Sequence, residues 1–268
     1  MSVSKLRGVV VEERGTSVSK PCPDRHEDTH APYRGGMTAE TRPVVLITGA
    51  TRGIGRAVAD ALAEDHDLLI GGRDDAAVRA VCGELPRAQP FVADLTDADS
   101  VAAAVDSLDS VAGLAGVVHS AGVLGSGAVA ELARDAWRHT LEVNVVAVAD
   151  LTRLLLPKLR AGGGTVVVVN SGSGLRSSAQ GSLYSASKFA VRAFADGLRQ
   201  EERSHGVRVS TVYPGRVATD MQRELRDFEG GEYDETDYLR PESVASAVRF
   251  VLTAPPEASV EDLSIRPR

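Results

Sequence analysis

From Pro43 onward, short β-branched runs alternate with longer alanine-rich stretches of helical period, and this alternation limits the possible folds more than any other feature. It is the pattern of repeated βα units joined into a parallel sheet. The strand candidates are Val44–Thr48, Asp67–Ile70, Pro90–Ala93, Gly116–His119, Thr165–Asn170, Val207–Tyr213 and Asp262–Ile265. Helical stretches fall near Ile54–Glu64, Asp75–Leu85, Asp97–Leu108, Ala133–Arg160, Leu183–Ser204 and Pro241–Thr253. Asp97 and Pro241 suit helix starts, while Gly162–Gly164 and Gly206 suit helix ends. Right-handed crossovers then put helices on both faces of one seven-stranded, mostly parallel sheet, a doubly wound α/β fold.

No break suggests a second domain within residues 41–268. Residues 1–40 differ: they are rich in Ser, Pro, Arg, Glu and Asp, and six basic side chains balance six acidic ones. A disordered N-terminal extension is expected there, with Met37 an alternative start. A net charge of −7 argues against a dedicated nucleic-acid binder or a polybasic membrane-surface protein, so small-molecule partners are expected. The two cysteines, Cys22 and Cys82, cannot build a disulfide framework or a cysteine zinc site, which fits a reducing cytoplasm. No apolar run reaches the length of about 20 residues that spans a bilayer, and no signal-peptide hydrophobic region opens the chain.

The first strand runs straight into Thr48-Gly49-Ala50-Thr51-Arg52-Gly53-Ile54-Gly55 and then an alanine-rich helix. A turn so placed lets backbone approach a pyrophosphate, while the helix N-terminus offers unpaired N–H groups and a positive dipole. Gly49, Gly53 and Gly55 serve that approach. Tyr184-Ser185-Ala186-Ser187-Lys188 sets a phenol and an ammonium on one helix face, an arrangement in which the cation is expected to lower the phenol pKa toward a working range. Ser171 lies thirteen residues earlier, at the end of a strand with four consecutive valines.

The spacing G-x-x-x-G-x-G, together with Ser171…Tyr184-x-x-x-Lys188, resembles the short-chain dehydrogenase/reductase family in its single-domain branch. The resemblance spans roughly Arg42 to Arg268 and implies a Rossmann fold. It assigns Thr51, Arg52 and Ile54 to the dinucleotide turn with the three glycines. It sets Asp94 and Leu95 against adenine, and Ser120, Ala121 and Gly122 along the adenosine pocket, although His119-Ser120 replaces the family's usual two asparagines. Pro214, Gly215, Val217 and Thr219 match the segment at the nicotinamide carboxamide. Gly174 selects Ser171 over Ser173 as the substrate-facing hydroxyl. His119 itself reads as structural.

Gly72-Arg73 closes the second strand where an NAD-selective member carries an acidic side chain. A guanidinium there can grip a 2′-phosphate, and Arg52 can approach the same group, so NADP(H) is the expected cofactor. The alternative leaves Arg73 solvated and gives a ribose hydroxyl to Asp74 or Asp75. By resemblance, the reaction is hydride transfer between nicotinamide and a carbonyl or secondary alcohol carbon. Tyr184 is the proton donor, Ser171 binds the carbonyl oxygen, Lys188 tunes the tyrosine and binds the nicotinamide ribose, and Asn144 completes the proton relay. NADPH use implies reduction of a ketone or aldehyde. An NAD-dependent alcohol dehydrogenase and a non-catalytic dinucleotide-binding regulator are the rivals. The helices Ala133–Arg160 and Leu183–Ser204 resemble those that pair subunits in the family, so a homodimer or homotetramer is expected.

The segment Arg216–Arg240 carries eight carboxylates against four arginines, a local charge of 4 − 8 = −4. Val217, Met221, Leu225 and Phe228 recur as one apolar face of a short helix would, with Gly230-Gly231 as a hinge. An acidic rim over an apolar face is expected to disfavour multiply anionic substrates and admit neutral carbonyl compounds. Arg216 is expected at the substrate entrance.

Overall fold

The computed structural model describes residues 42–268, and the expectations for residues 1–40 lie outside the described residues. Seven strands form one sheet: β1 (Val44–Thr48), β2 (Asp67–Gly72), β3 (Ala88–Val92), β4 (Gly116–His119), β5 (Thr165–Val169), β6 (Arg208–Pro214) and β7 (Asp262–Ile265). Their order is β3-β2-β1-β4-β5-β6-β7, and every neighbouring pair is parallel. The third strand begins two residues before its expected start, because Ala88 and Gln89 already pair with Leu68 and Leu69.

Alternation along each strand divides the core in two. Val45 and Ile47 pack with Ala57, Val58 and Val244, whereas Leu46 faces Leu151, Leu155 and Val191. The first layer holds α1 (Gly53–Leu62), α2 (Asp75–Glu84) and α8 (Pro241–Leu252); the second holds α3 (Ala98–Asp106), α5 (Ala147–Gly162) and α6 (Ser182–Glu202). With helices on both faces, β5 needs apolar residues at every position. All four of its valines are at most 7% exposed, and each contributes about 1.5–3 kcal/mol by burial.

Several helix ends follow from local chemistry. The Asp74 carboxylate accepts from Ala77 N, and Asp97 accepts from Asp99 N and Ser100 N, capping α2 and α3. Gly163 ends α5 in the left-handed conformation, at φ +59°. The expected continuous helix Ala133–Arg160 is instead α4 (Arg134–Leu141), a π-helical turn over Glu142–Val146, and α5. The extra residue in that turn points Asn144 inward, as the next subsection describes. At the far ends of α5 and α6, Arg160 donates Nε to Glu202 Oε2 (2.8 Å) and Nη2 to Oε1 (2.6 Å). Glu202 is only 2% exposed, and Arg160 holds its carboxyl below the usual range.

The chain crosses from β3 on one side of β1 to β4 on the other. The crevice outside the C-terminal ends of β1 and β4 is therefore the topological switch point, where such folds bind ligands. Among the described residues, no helix is long and apolar enough to cross a membrane.

Candidate active site

At the switch point the β1–α1 turn is pressed against the turn after β4. Gly49 (φ +64°) and Gly53 (φ +55°) take a conformation that side chains disfavour, and a Cβ on Gly49 would lie 2.9 Å from Ala121 Cα. A Cβ on Gly55 would overlap the Gly49 carbonyl. Thr48 Oγ1 accepts the N–H groups of Ser120 and Ala121, at 3.1 Å each, and so fixes the two turns together. The helix start at Arg52 has no side-chain cap, and the first turn of α1 carries no acidic residue. Cβ-free backbone and unpaired helix-start amides fit the pyrophosphate of a dinucleotide.

His119 points away from this crevice. Its Nε2 lies 2.9 Å from Thr152 Oγ1, whose own proton goes to Val148 O (2.7 Å), so the imidazole is the donor. Burial pushes its pKa down to about 4, and the neutral ring ties β4 to α5. Gly122 faces the other way: a Cβ there would sit 3.2 Å from Asn144 Oδ1 and 3.9 Å from Lys188 Nζ.

Along the outer part of the crevice, Arg73 is exposed and makes no ion pair or side-chain hydrogen bond among the described residues. Arg52, also exposed, lies 3.4 Å from Asp220. A Cβ on Gly72 would meet Val78 Cγ2 at 2.8 Å and Thr51 Cγ2 at 3.1 Å, so a carboxylate there would disturb packing. Asp94 Oδ1 accepts both the N–H and the hydroxyl of Thr96, which lowers its carboxyl pKa, and Leu95 beside it is half-buried.

Ser171, Tyr184 and Lys188 converge where β5 meets the first turns of α6. Ser171 Oγ accepts from Ser173 N (3.1 Å). Asn170 Oδ1 accepts from Ser171 N (2.8 Å) and its Nδ2 donates to Lys188 O (3.1 Å), binding the serine loop to α6. A Cβ on Gly174 would stand 2.5 Å from Asn170 Oδ1, which explains the glycine. Sequence reasoning passed over Asn170, whose signal was a polar residue ending an all-valine strand. Lys188 Nζ donates to Val169 O (3.2 Å) and lies 5.6 Å from the Tyr184 ring centroid.

Burial lowers the Lys188 pKa to about 8 and pushes Tyr184 up to about 12, the Ser171 hydroxyl pulling the phenol the other way. This corrects the expectation of a phenol lowered by its lysine. Desolvation sets that direction, and the phenol stays protonated at neutral pH. Asn144, 2% exposed, is fully engaged: Oδ1 accepts from Val123 N (2.9 Å), and Nδ2 donates to Val123 O and Ser187 Oγ, both 3.0 Å. Ser187 Oγ in turn donates to Tyr184 O (2.7 Å). The side chain of Asn144 therefore ties the Val123 backbone to the tyrosine turn through Ser187.

A cavity of about 630 Å³ opens over Ser171 and Tyr184, with Ile54, Pro214 and Gly215 in its wall. Gly215 N donates to Ile265 O (2.7 Å), anchoring that segment to β7. The short helix α7 (Asp220–Glu229) starts with Thr219 as its cap and ends at Gly230 (φ +67°). Val217, Met221, Leu225 and Phe228 all line the cavity. Arg216 grips Glu229 with both terminal nitrogens, at 3.0 and 2.5 Å, and joins the two ends of this segment.

The acidic rim is not found. Of the eight carboxylates only Glu229 and Asp237 line the cavity, against Arg176, Arg216 and Arg266, and Glu229 is already paired with Arg216 and Arg226. The other carboxylates lie outside the wall, so the charge of the segment does not set the charge of the cavity.

A family model described as short chain dehydrogenase matches residues 43–230. Dehydrogenase/reductase SDR family member 11 of Mus musculus is 31% identical over 253 residues, covering 87% of this chain and 97% of that protein. The crystal structure of an alcohol dehydrogenase from Thermococcus sibiricus, complexed with 5-hydroxy-NADP, superposes with a TM-score of 0.77 at 28% identity, covering 85% of this chain and all of that one. A variant of actinorhodin polyketide ketoreductase with NADPH gives 0.76 at 27% identity, covering 84% and 96%. Fold, crevice and sequence agree: the chain belongs to the short-chain dehydrogenase/reductase family and is an oxidoreductase that binds a nicotinamide dinucleotide.

Proposed function

We propose that the protein is an NADPH-dependent carbonyl reductase, converting a ketone or aldehyde to an alcohol. The observation that carries this is the convergence of Ser171 and a protonated Tyr184 in the wall of one cavity, with the buried Lys188 Nζ 5.6 Å from the Tyr184 ring centroid. Bound NADPH supplies the hydride. Ser171 donates to the carbonyl oxygen, and Tyr184 gives up its proton as negative charge develops there. Lys188, held by Val169 O, stabilises the phenolate left behind and binds the nicotinamide ribose. Asn144 and Asn170 position these groups through Ser187 and Lys188.

Gly49, Thr51, Gly53, Ile54 and Gly55 hold the pyrophosphate, with Ser120, Ala121 and Gly122 closing the adenosine side. Asp94 and Leu95 face adenine. Pro214, Gly215, Val217 and Thr219 flank the nicotinamide. Arg73, exposed and unpaired among the described residues, receives the 2′-phosphate with Arg52. Residues 41–268 form one domain, working as a homodimer or homotetramer in the cytoplasm.

The test is NADPH oxidation, read by absorbance, over a panel of ketones, aldehydes and quinones. Turnover of some member should fall a hundredfold or more in Tyr184→Phe while NADPH affinity stays nearly unchanged, roughly the range attributed to a positioned general acid. Full activity in Tyr184→Phe would refute the assignment.

A further inference from the structure

The first turn of α7 holds an anomaly. Gln222 is 5% exposed, and its Nε2 is sealed from solvent with no hydrogen-bond partner among the described residues. A buried amide without an acceptor is costly, and a methionine or leucine would fill the volume without that cost. Met221 and Leu225, on the same cavity wall, are apolar as packing requires.

Gln222 stands at one particular end of the cavity. Its neighbour Thr219 caps α7, and Thr219 Cγ2 lies 3.4 Å from the place of a Cβ on Gly53. The start of α7 therefore abuts the β1–α1 glycine turn, whereas Phe228 and Glu229 lie at its other end, three turns of helix away at most. The N-terminus of α7 carries the positive end of the helix dipole, which favours an oxygen with negative charge. Gln222 itself lines the cavity, and the terminal torsion of a glutamine is soft, so its carboxamide can turn while the rest of the side chain stays packed.

We propose that Gln222 is a dinucleotide-binding residue: its carboxamide donates to an acceptor oxygen of the bound dinucleotide and seats α7 over it. This rests on the reading that the dinucleotide occupies the glycine turn. It makes the buried amide a group matched to the ligand, satisfied only when α7 and dinucleotide meet.

The experiment compares wild type, Gln222→Met and Gln222→Glu by thermal unfolding, alone and with saturating NADPH, and by NADPH fluorescence titration. Gln222→Met should melt at the wild-type temperature or above it when alone, because an unsatisfied amide has been removed. Its NADPH-induced rise in Tm should shrink, with affinity falling about tenfold. Gln222→Glu, which adds a negative charge and removes the donor, should bind NADPH more weakly still. A Gln222→Met protein that melts lower alone but keeps wild-type NADPH affinity would show an ordinary packing residue and overturn the proposal. A wild type that gains no stability from NADPH or NADH would instead overturn the dinucleotide reading itself, and this proposal with it.

Discussion

Because His119 is sealed against Thr152, it stays neutral in the folded protein down to about pH 4, while in the unfolded chain it protonates near its ordinary value of about 6.5. The unfolded chain therefore binds the extra proton between these values. Stability is complete above pH 6.5 and falls as the pH drops toward 4, by up to about 1.4 kcal/mol per unit. Denaturant unfolding should show wild type losing roughly 2 kcal/mol from this group between pH 7.5 and 5, and His119→Asn losing less. Parallel losses in the two proteins would refute it. Cofactor choice belongs to this scale as well. Arg73→Ala should lower NADPH affinity at least tenfold, about 1.4 kcal/mol, and leave NADH affinity unchanged by titration calorimetry. Gly72→Asp should not create a clean NAD enzyme, because its Cβ must displace Val78 and Thr51. A lower Tm, relieved by Val78→Ala, is the expected sign of that overlap.

Elements are joined by a few polar clasps whose energies come from burial. Removing Arg160 would strand the Glu202 carboxylate between α5 and α6, so Arg160→Ala should cost about 3 kcal/mol in urea unfolding, and Arg160→Met with Glu202→Leu should recover most of it. From sequence, Glu202 looks like any solvated residue near a helix end, because its burial comes from α5, forty residues away. The same reason hides Gln222 and the charge of the cavity wall: a linear count of carboxylates does not say which side of α7 each one occupies. Strands such as Val166–Val169 were legible because residues buried on both faces leave an unbroken apolar run. The convergence of Ser171, Tyr184 and Lys188 was legible because they lie within eighteen residues, on one strand end and one helix start. The π-turn was not, since one inserted residue barely disturbs a helical period, and only a buried Asn144 inside an apolar stretch marked it.

At the scale of the molecule, Val146 on the π-turn and Phe189 on α6 are 48% and 42% exposed, apolar side chains on elements expected to pair subunits. Light scattering should give a dimer or tetramer, and Phe189→Glu should shift it toward monomer; a monomeric wild type would contradict this. The Thermococcus sibiricus chain is covered in full by 85% of this one, and deleting residues 1–36 should leave Tm and activity little changed; a large loss of stability would contradict this. The parallel sheet has a further consequence. The glycine turn, the turn after β4, Ser171 and Pro214-Gly215 lie at the C-terminal ends of their strands, and the turn carrying exposed Asp109 and Ser110 feeds β4 from the opposite end. A surface tether made through Ser110→Cys would leave the cavity mouth pointing away from its support, so the molecule has a built-in handle for immobilised use that its chemistry does not feel.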